Sequence, residues 1–198
     1  MKILFIIIFL LFNLVTHFSK AQSDSLYHIE ISTAISPLIS VFKDERYPGA
    51  PKNASMGYGM SVRAMWHPGR LLAFGVMSGY LLIVKDEFQV NSVLDDDLDN
   101  QVTAKLNAIP LQIVVSMQKR GLEFGLGMGP YILLSTIEYG KPAHSHRFEL
   151  GLTLLGVYNF SIDKNISIGS ELRIFYLSYR GILSVMPSVS MRYEIWSY

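Results

Sequence analysis

The chain has 198 residues, of which 50 % are hydrophobic, 12 % aromatic and 17 % charged, and 17 Lys plus Arg against 16 Asp plus Glu give a formal net charge of +1. Ordinary soluble domains carry about 25 % charged residues, so much of the apolar surface needs a cover other than water, and a balanced charge with no basic block offers nucleic acid no electrostatic footprint. There is no cysteine, which excludes a disulfide framework, thiolate metal sites, thiol catalysis and a lipid anchor on an N-terminal cysteine.

Lys2 precedes an unbroken apolar run over 3–12, continued past Asn13 by Leu14 and Val15. A more polar stretch follows, and Ser19-Lys20-Ala21 places small residues at −3 and −1, so the expected export cleavage lies between Ala21 and Gln22. The run is shorter than the ~20 residues of a spanning helix and lacks a charged stop-transfer flank. The domain reading is a signal peptide over 1–21 and one domain over 22–198. No second run of 18 apolar residues occurs, which leaves a closed β-barrel as the structure able to satisfy its backbone in lipid.

Period-two alternation predicts eight strands, at 28–41, 54–66, 71–84, 102–117, 122–135, 148–160, 166–178 and 182–196. Each exceeds the ~9–11 residues that cross a bilayer when tilted. In the second strand Met56, Tyr58, Met60 and Val62 alternate with Ser55, Gly57, Gly59, Ser61 and Arg63. In the fifth, Leu122, Phe124, Leu126 and Met128 alternate with Glu123, Gly125, Gly127 and Gly129. The sixth sets Phe148, Leu150, Leu152, Leu154 and Tyr158 against Glu149, Gly151, Thr153 and Asn159. The seventh sets Ile166, Ile168, Leu172, Ile174 and Tyr176 against Ser167, Gly169, Glu171 and Arg173, and the eighth has Leu183, Val185, Val189, Met191, Tyr193 and Ile195 opposite Ser184, Ser188, Ser190, Arg192 and Glu194. One face suits lipid and the other a polar lumen, with small inward residues because an eight-stranded lumen holds side chains and little else. A soluble lipocalin-like barrel would reverse this, with the charged face outside.

The connections support the same order. His67-Pro68-Gly69-Arg70, Gln118-Lys119-Arg120-Gly121 and Ser161-Ile162-Asp163-Lys164-Asn165 have turn chemistry. Long loops are expected over 42–53, 85–101 and 136–147. Short and long connections alternate as periplasmic turns and outer loops do, although Tyr179-Arg180-Gly181 makes the last outer connection short. An even strand number places both termini in the periplasm.

With the leader, the Gly-rich strands, Leu106-Asn107-Ala108-Ile109-Pro110-Leu111 and Gly125-Leu126-Gly127-Met128-Gly129-Pro130-Tyr131, the chain resembles the small outer-membrane β-barrels of the porin-family, OmpA/OmpX-like type, over its whole mature length. That family includes adhesins, structural proteins and secretion-machine parts of the PorT kind. The resemblance implies an eight-stranded antiparallel up-and-down transmembrane barrel in the outer membrane, in contact with its lipid and inserted by the barrel-assembly machinery. The terminal Trp196-Ser197-Tyr198 fits the aromatic end that this machinery reads.

Glu30, Glu123, Glu149, Glu171 and Glu194 are expected to share the lumen with Arg63, Arg173 and Arg192, paired with one another as a plug, because unpaired buried charge is costly. Asp95-Asp96-Asp97-Leu98-Asp99-Asn100 has the i, i+2, i+4 carboxylates of a calcium loop, but Asn100 stands where Gly belongs and Leu106 where the bidentate Glu belongs. His144-Ser145-His146 is the one string with a nucleophile and base together, placed in the third outer loop with no acid free to orient a ring. No catalytic, cofactor or metal residue is therefore assigned. The expected role is structural or surface-interacting and non-enzymatic, possible partners being envelope proteins and not nucleic acid. The alternatives are a component of an envelope secretion or assembly machine, a lipid-modifying enzyme, and a soluble periplasmic ligand-binding barrel.

Overall fold

The computed structural model describes residues 27–43, 54–68, 71–89, 101–139, 141–178 and 181–197. Its strands are β1 (His28–Val41), β2 (Ala54–His67), β3 (Leu72–Gln89), β4 (Gln101–Lys119), β5 (Leu122–Tyr139), β6 (Lys141–Ser161), β7 (Ile166–Leu177) and β8 (Ile182–Ser197). Each pairs antiparallel with its neighbours in sequence, and β1 also pairs with β8, closing an up-and-down barrel. Closure leaves no sheet edge, which is what permits strands to cross lipid, where no water completes an unpaired N–H or C=O.

The alternation fixes which way each side chain points. Met56, Tyr58, Met60 and Val62 are exposed on the outside of β2, while Ser55, Ser61 and Arg63 are buried inside. On β7 and β8, Leu172, Ile174, Tyr176, Val189, Met191 and Tyr193 face outward, and Glu171, Arg173, Ser188, Ser190 and Arg192 face inward. Apolar residues outside and charges inside exclude the soluble ligand-binding barrel. The belt is bordered by aromatic rings: Trp66, Phe74, Phe124, Tyr193 and Trp196 near the end where the termini lie, and Tyr58, Phe148 and Tyr176 toward the other end. Such girdles mark the two lipid–water boundaries of a membrane barrel.

Four strands run farther than their composition suggested. β3 reaches Gln89, β4 starts at Gln101, and β5 and β6 continue to Tyr139 and Lys141, which pair with each other. The loop expected over 136–147 is thus largely paired backbone. Polar side chains here are what a solvated strand requires: β3 past Leu82 pairs with β4 alone and β6 before Gly151 pairs with β5 alone in the described register, a one-sided pairing that suits water rather than lipid. Lys105 bonds Glu138 across the β4–β5 pair at 3.1 Å, and Lys85 lies 2.9 Å from Glu87.

The lumen is divided. Its terminus end holds charged residues with a small apolar cluster of Met65, Ala73, Met77, Val114, Leu155 and Val157. Its loop end is filled by an apolar cluster that includes Leu38, Leu81, Ile83, Phe175, Ile182 and Met186. Half the inward face is therefore not polar, contrary to the expected lumen, because a narrow interior that excludes water is filled more favourably by apolar side chains. Between the two ends the Tyr131 ring lies over Gly151, where a Cβ would collide with it. The Tyr131 hydroxyl bonds Thr153 Oγ1 at 2.9 Å, and Thr153 donates to Gln112 Oε1 at 2.9 Å.

Prolines mark breaks in the ladder. Pairing of β1 with β8 runs to Ile35–Val189 and resumes at Ile39–Val185, leaving Pro37 and Pro187, which have no N–H to give, in the interval. Ser36 Oγ donates to the Pro187 carbonyl at 2.8 Å and satisfies one acceptor there.

At the β4–β5 turn, Lys119 pairs with Leu122 around Arg120 and Gly121, whose φ values are 52° and 82°. Positive φ at both central residues is the type I′ hairpin turn, which glycine adopts without the strain of a Cβ. Gly121→Val is expected to cost about 1–2 kcal/mol, read as a lower denaturation midpoint in detergent. An unchanged midpoint would mean that the turn relaxes freely.

Candidate functional site

The charged cluster is assembled from four strands that the barrel brings together. Glu123, fully buried at the start of β5, faces Arg63 from β2, with Arg63 Nη1 3.1 Å from Glu123 Oε1 and Arg63 Nη2 donating to Oε2 at 3.3 Å. Arg192 on β8 reaches the same Oε2 through Nη2, and its Nη1 lies 3.1 Å from Glu30 Oε2 on β1. Arg63 Nε donates to Ser32 Oγ at 3.2 Å, and Arg192 Nη1 donates to Gln118 Oε1 at 3.3 Å. The chain of contacts Glu30–Arg192–Glu123–Arg63 carries two carboxylates and two guanidinium groups, so its formal charge cancels inside a medium that would penalise a net charge.

The remaining members of the expected cluster lie apart from that chain. Glu171 pairs with Arg173 on the same strand, two residues along, both buried. Glu149 is at the loop end, where it bonds Arg147 and accepts from Ser178 Oγ at 2.9 Å. Glu194 is half-buried near the terminus end, in register with Glu30. The apparent excess of lumen carboxylates is dispersed in this way, and the buried network is neutral.

His28 and His67 also face inward at the terminus end and were not among the expected lumen residues. Their rings stack, with centroids 4.0 Å apart and planes 11° from parallel. The sequence held a usable signal: the parity that turns Arg63 inward also turns His67 inward, once the second strand is extended by one residue from 66 to 67.

His144, Ser145 and His146 lie in β6, not in a loop, and are exposed. Successive strand side chains point to opposite faces, so Ser145 projects away from both histidines. His144 Nδ1 is 3.2 Å from Thr136 Oγ1 on β5. No nucleophile–base pair is formed within this string. The cleavage residues Ala21 and Gln22 and the acidic stretch Asp95 to Asn100 lie outside the described residues.

The barrel superposes on Neisserial surface protein A with a TM-score of 0.56 at 13 % identity, covering 84 % of this chain and 97 % of that one. It matches Ail, the attachment invasion locus protein of Yersinia pestis solved with the heparin analogue sucrose octasulfate, at a TM-score of 0.50 and 13 % identity, over 85 % of this chain and 99 % of that one. The fold is that of the small outer-membrane barrels. Identity this low speaks for the fold alone. No protein-family profile and no curated protein sequence matches the chain.

Proposed function

We propose that this chain is an integral outer-membrane β-barrel with a structural or surface-interaction role and no catalytic chemistry of its own. In this reading it is exported with cleavage after Ala21, inserted by the barrel-assembly machinery, and seated with both termini in the periplasm. The observation that carries it is the belt of apolar side chains with aromatic borders around a lumen packed with side chains. A lumen so filled argues against a general pore. The β3–β4 and β5–β6 ribbons continue past the outer aromatic ring and present exposed Lys85, Glu87, Glu138, His144 and Arg147, a polar platform suited to contact with envelope or external partners. Surface proteins share this fold, and Neisserial surface protein A and Ail carry surface or attachment in their names.

Expression with the leader, membrane fractionation and electrophoresis with and without boiling test the reading. The chain is expected in the outer-membrane fraction, with a mobility in SDS that shifts on heating, since a closed barrel resists SDS until heated. Recovery from the soluble periplasm without a shift would sink it. Loss of export of other proteins in a deletion strain would instead make the chain part of an envelope secretion or assembly machine.

A further inference from the structure

We infer that the terminus end of the lumen holds a three-ligand site for a zinc-class divalent ion, formed by His28, Glu30 and His67. Among the described residues these are the three side chains whose ligand atoms all lie within 4.8 Å of one another. The barrel fold makes the cluster: β1 and β2 pair with His28 opposite His67, and Glu30 is two residues along β1 on the same inward face.

The donor atoms look at one another without completing ordinary hydrogen bonds. His67 Nε2 is 3.2 Å from Glu30 Oε1, yet neither atom has a hydrogen-bond partner, and both residues are more than nine-tenths buried. Ligands of a tetrahedral ion with metal–nitrogen distances near 2.0–2.1 Å stand roughly 3.3 Å apart, so this pair already has the required separation. His28 Nε2 is 3.8 Å from Glu30 Oε2, and since the two imidazoles are stacked in nearly parallel planes, His28 has to turn out of the stack to aim a ring nitrogen at the same centre.

The surrounding contacts orient the ligands. Arg192 Nη1 holds Glu30 Oε2 at 3.1 Å, which leaves Oε1 directed at His67. A second group that fixes a ligating carboxylate in this way is a regular part of metal sites. The His28 side chain is 18 % exposed against 4 % for His67, so the site opens toward the barrel mouth on the His28 side. That gives an entry path and a fourth position for water. Imidazole and carboxylate donors suit zinc and its first-row neighbours better than calcium or magnesium, which prefer oxygen alone.

The test uses the untagged, folded chain extracted from membranes into detergent, its fold verified for every variant by the heat-dependent mobility shift. Zinc(II) titrated against a chromophoric chelator is expected to bind at one equivalent per chain, and cobalt(II) is expected to give the visible absorption of a four- or five-coordinate ion. His67→Gln and, separately, His28→Gln should weaken binding by about tenfold or more, since loss of even a supporting residue costs 10–100-fold. His144→Ala/His146→Ala should retain the full equivalent. If His67→Gln does not fold, the wild-type stoichiometry and the mouth-side His28→Gln decide the matter. Absence of stoichiometric binding by the wild type, or binding that survives His28→Gln and is lost with His144 and His146, would overturn the site and leave Glu30 and His67 as an ion pair only.

Discussion

Replacement of Glu123 by alanine is expected to destabilise the barrel by about 3–5 kcal/mol, the range for removing one partner of a buried ion pair. Glu123 is fully buried and receives both Arg63 and Arg192. The guanidinium groups would remain inside, and Arg63 would keep only Ser32 as a bonded partner among the contacts described above. Most of the cost comes from that uncompensated charge rather than from the lost attraction. Urea unfolding in detergent, followed by the fluorescence of Trp66 and Trp196, would measure it. The contrasting substitution is Glu149→Gln, whose partners sit at the solvated loop end and whose loss should cost less than about 1 kcal/mol. Equal effects would mean that the network around Glu123 is solvated and is not a plug. Replacing Arg63 and Glu123 together by apolar residues of similar volume should recover much of the loss, because Arg192 keeps its pairing with Glu30 and no unpaired buried charge is left behind.

Arginine at Val189 is expected to cost about 2–4 kcal/mol when the barrel is folded in lipid, as it is for a cation placed near the bilayer midplane. Val189 is 69 % exposed in mid-β8, between the two aromatic borders, so its side chain meets acyl chains in a membrane. The same unfolding assay in phospholipid vesicles would read the change, with Val189→Leu as a control that should stay near the wild type. A wild-type midpoint for Val189→Arg would contradict the outward phase of β8. The neighbouring Ser188 faces inward and is buried, against β7 at Glu171. Arginine there would be mild only in a roomy lumen. The packed interior instead makes Ser188→Arg an overpacking change costing about 1–3 kcal/mol, so the informative comparison is between lipid-facing Arg and lipid-facing Leu.

Strand number, phase and closure were legible because lipid imposes a rule on each residue separately. An outward position must be apolar and an inward one need not be, so Leu172, Ile174 and Tyr176 against Glu171 and Arg173 reveal the phase of β7 with no knowledge of its neighbours. The same logic gave the inward side of Arg63, Glu123 and Arg192. It failed at the ends of β3 to β6 that lie away from the termini, where water accepts polar side chains on strands and loops alike. Pairing there depends on the partner strand, and composition carries no mark of it.

What the sequence by itself determined is the class of the molecule: eight alternating segments, with an apolar exterior and inward-facing charges within the belt between the aromatic borders. Which charges meet was decided only by the closed barrel, since Arg63 lies 60 residues and Arg192 lies 69 residues from Glu123 along the chain. The division of the lumen into an apolar loop end and a charged terminus end was decided there too, as was the meeting of His28, Glu30 and His67. The physical reason is that facing is a property of a single strand, set by its pleat, whereas contact across a lumen depends on the register of every strand between the two side chains.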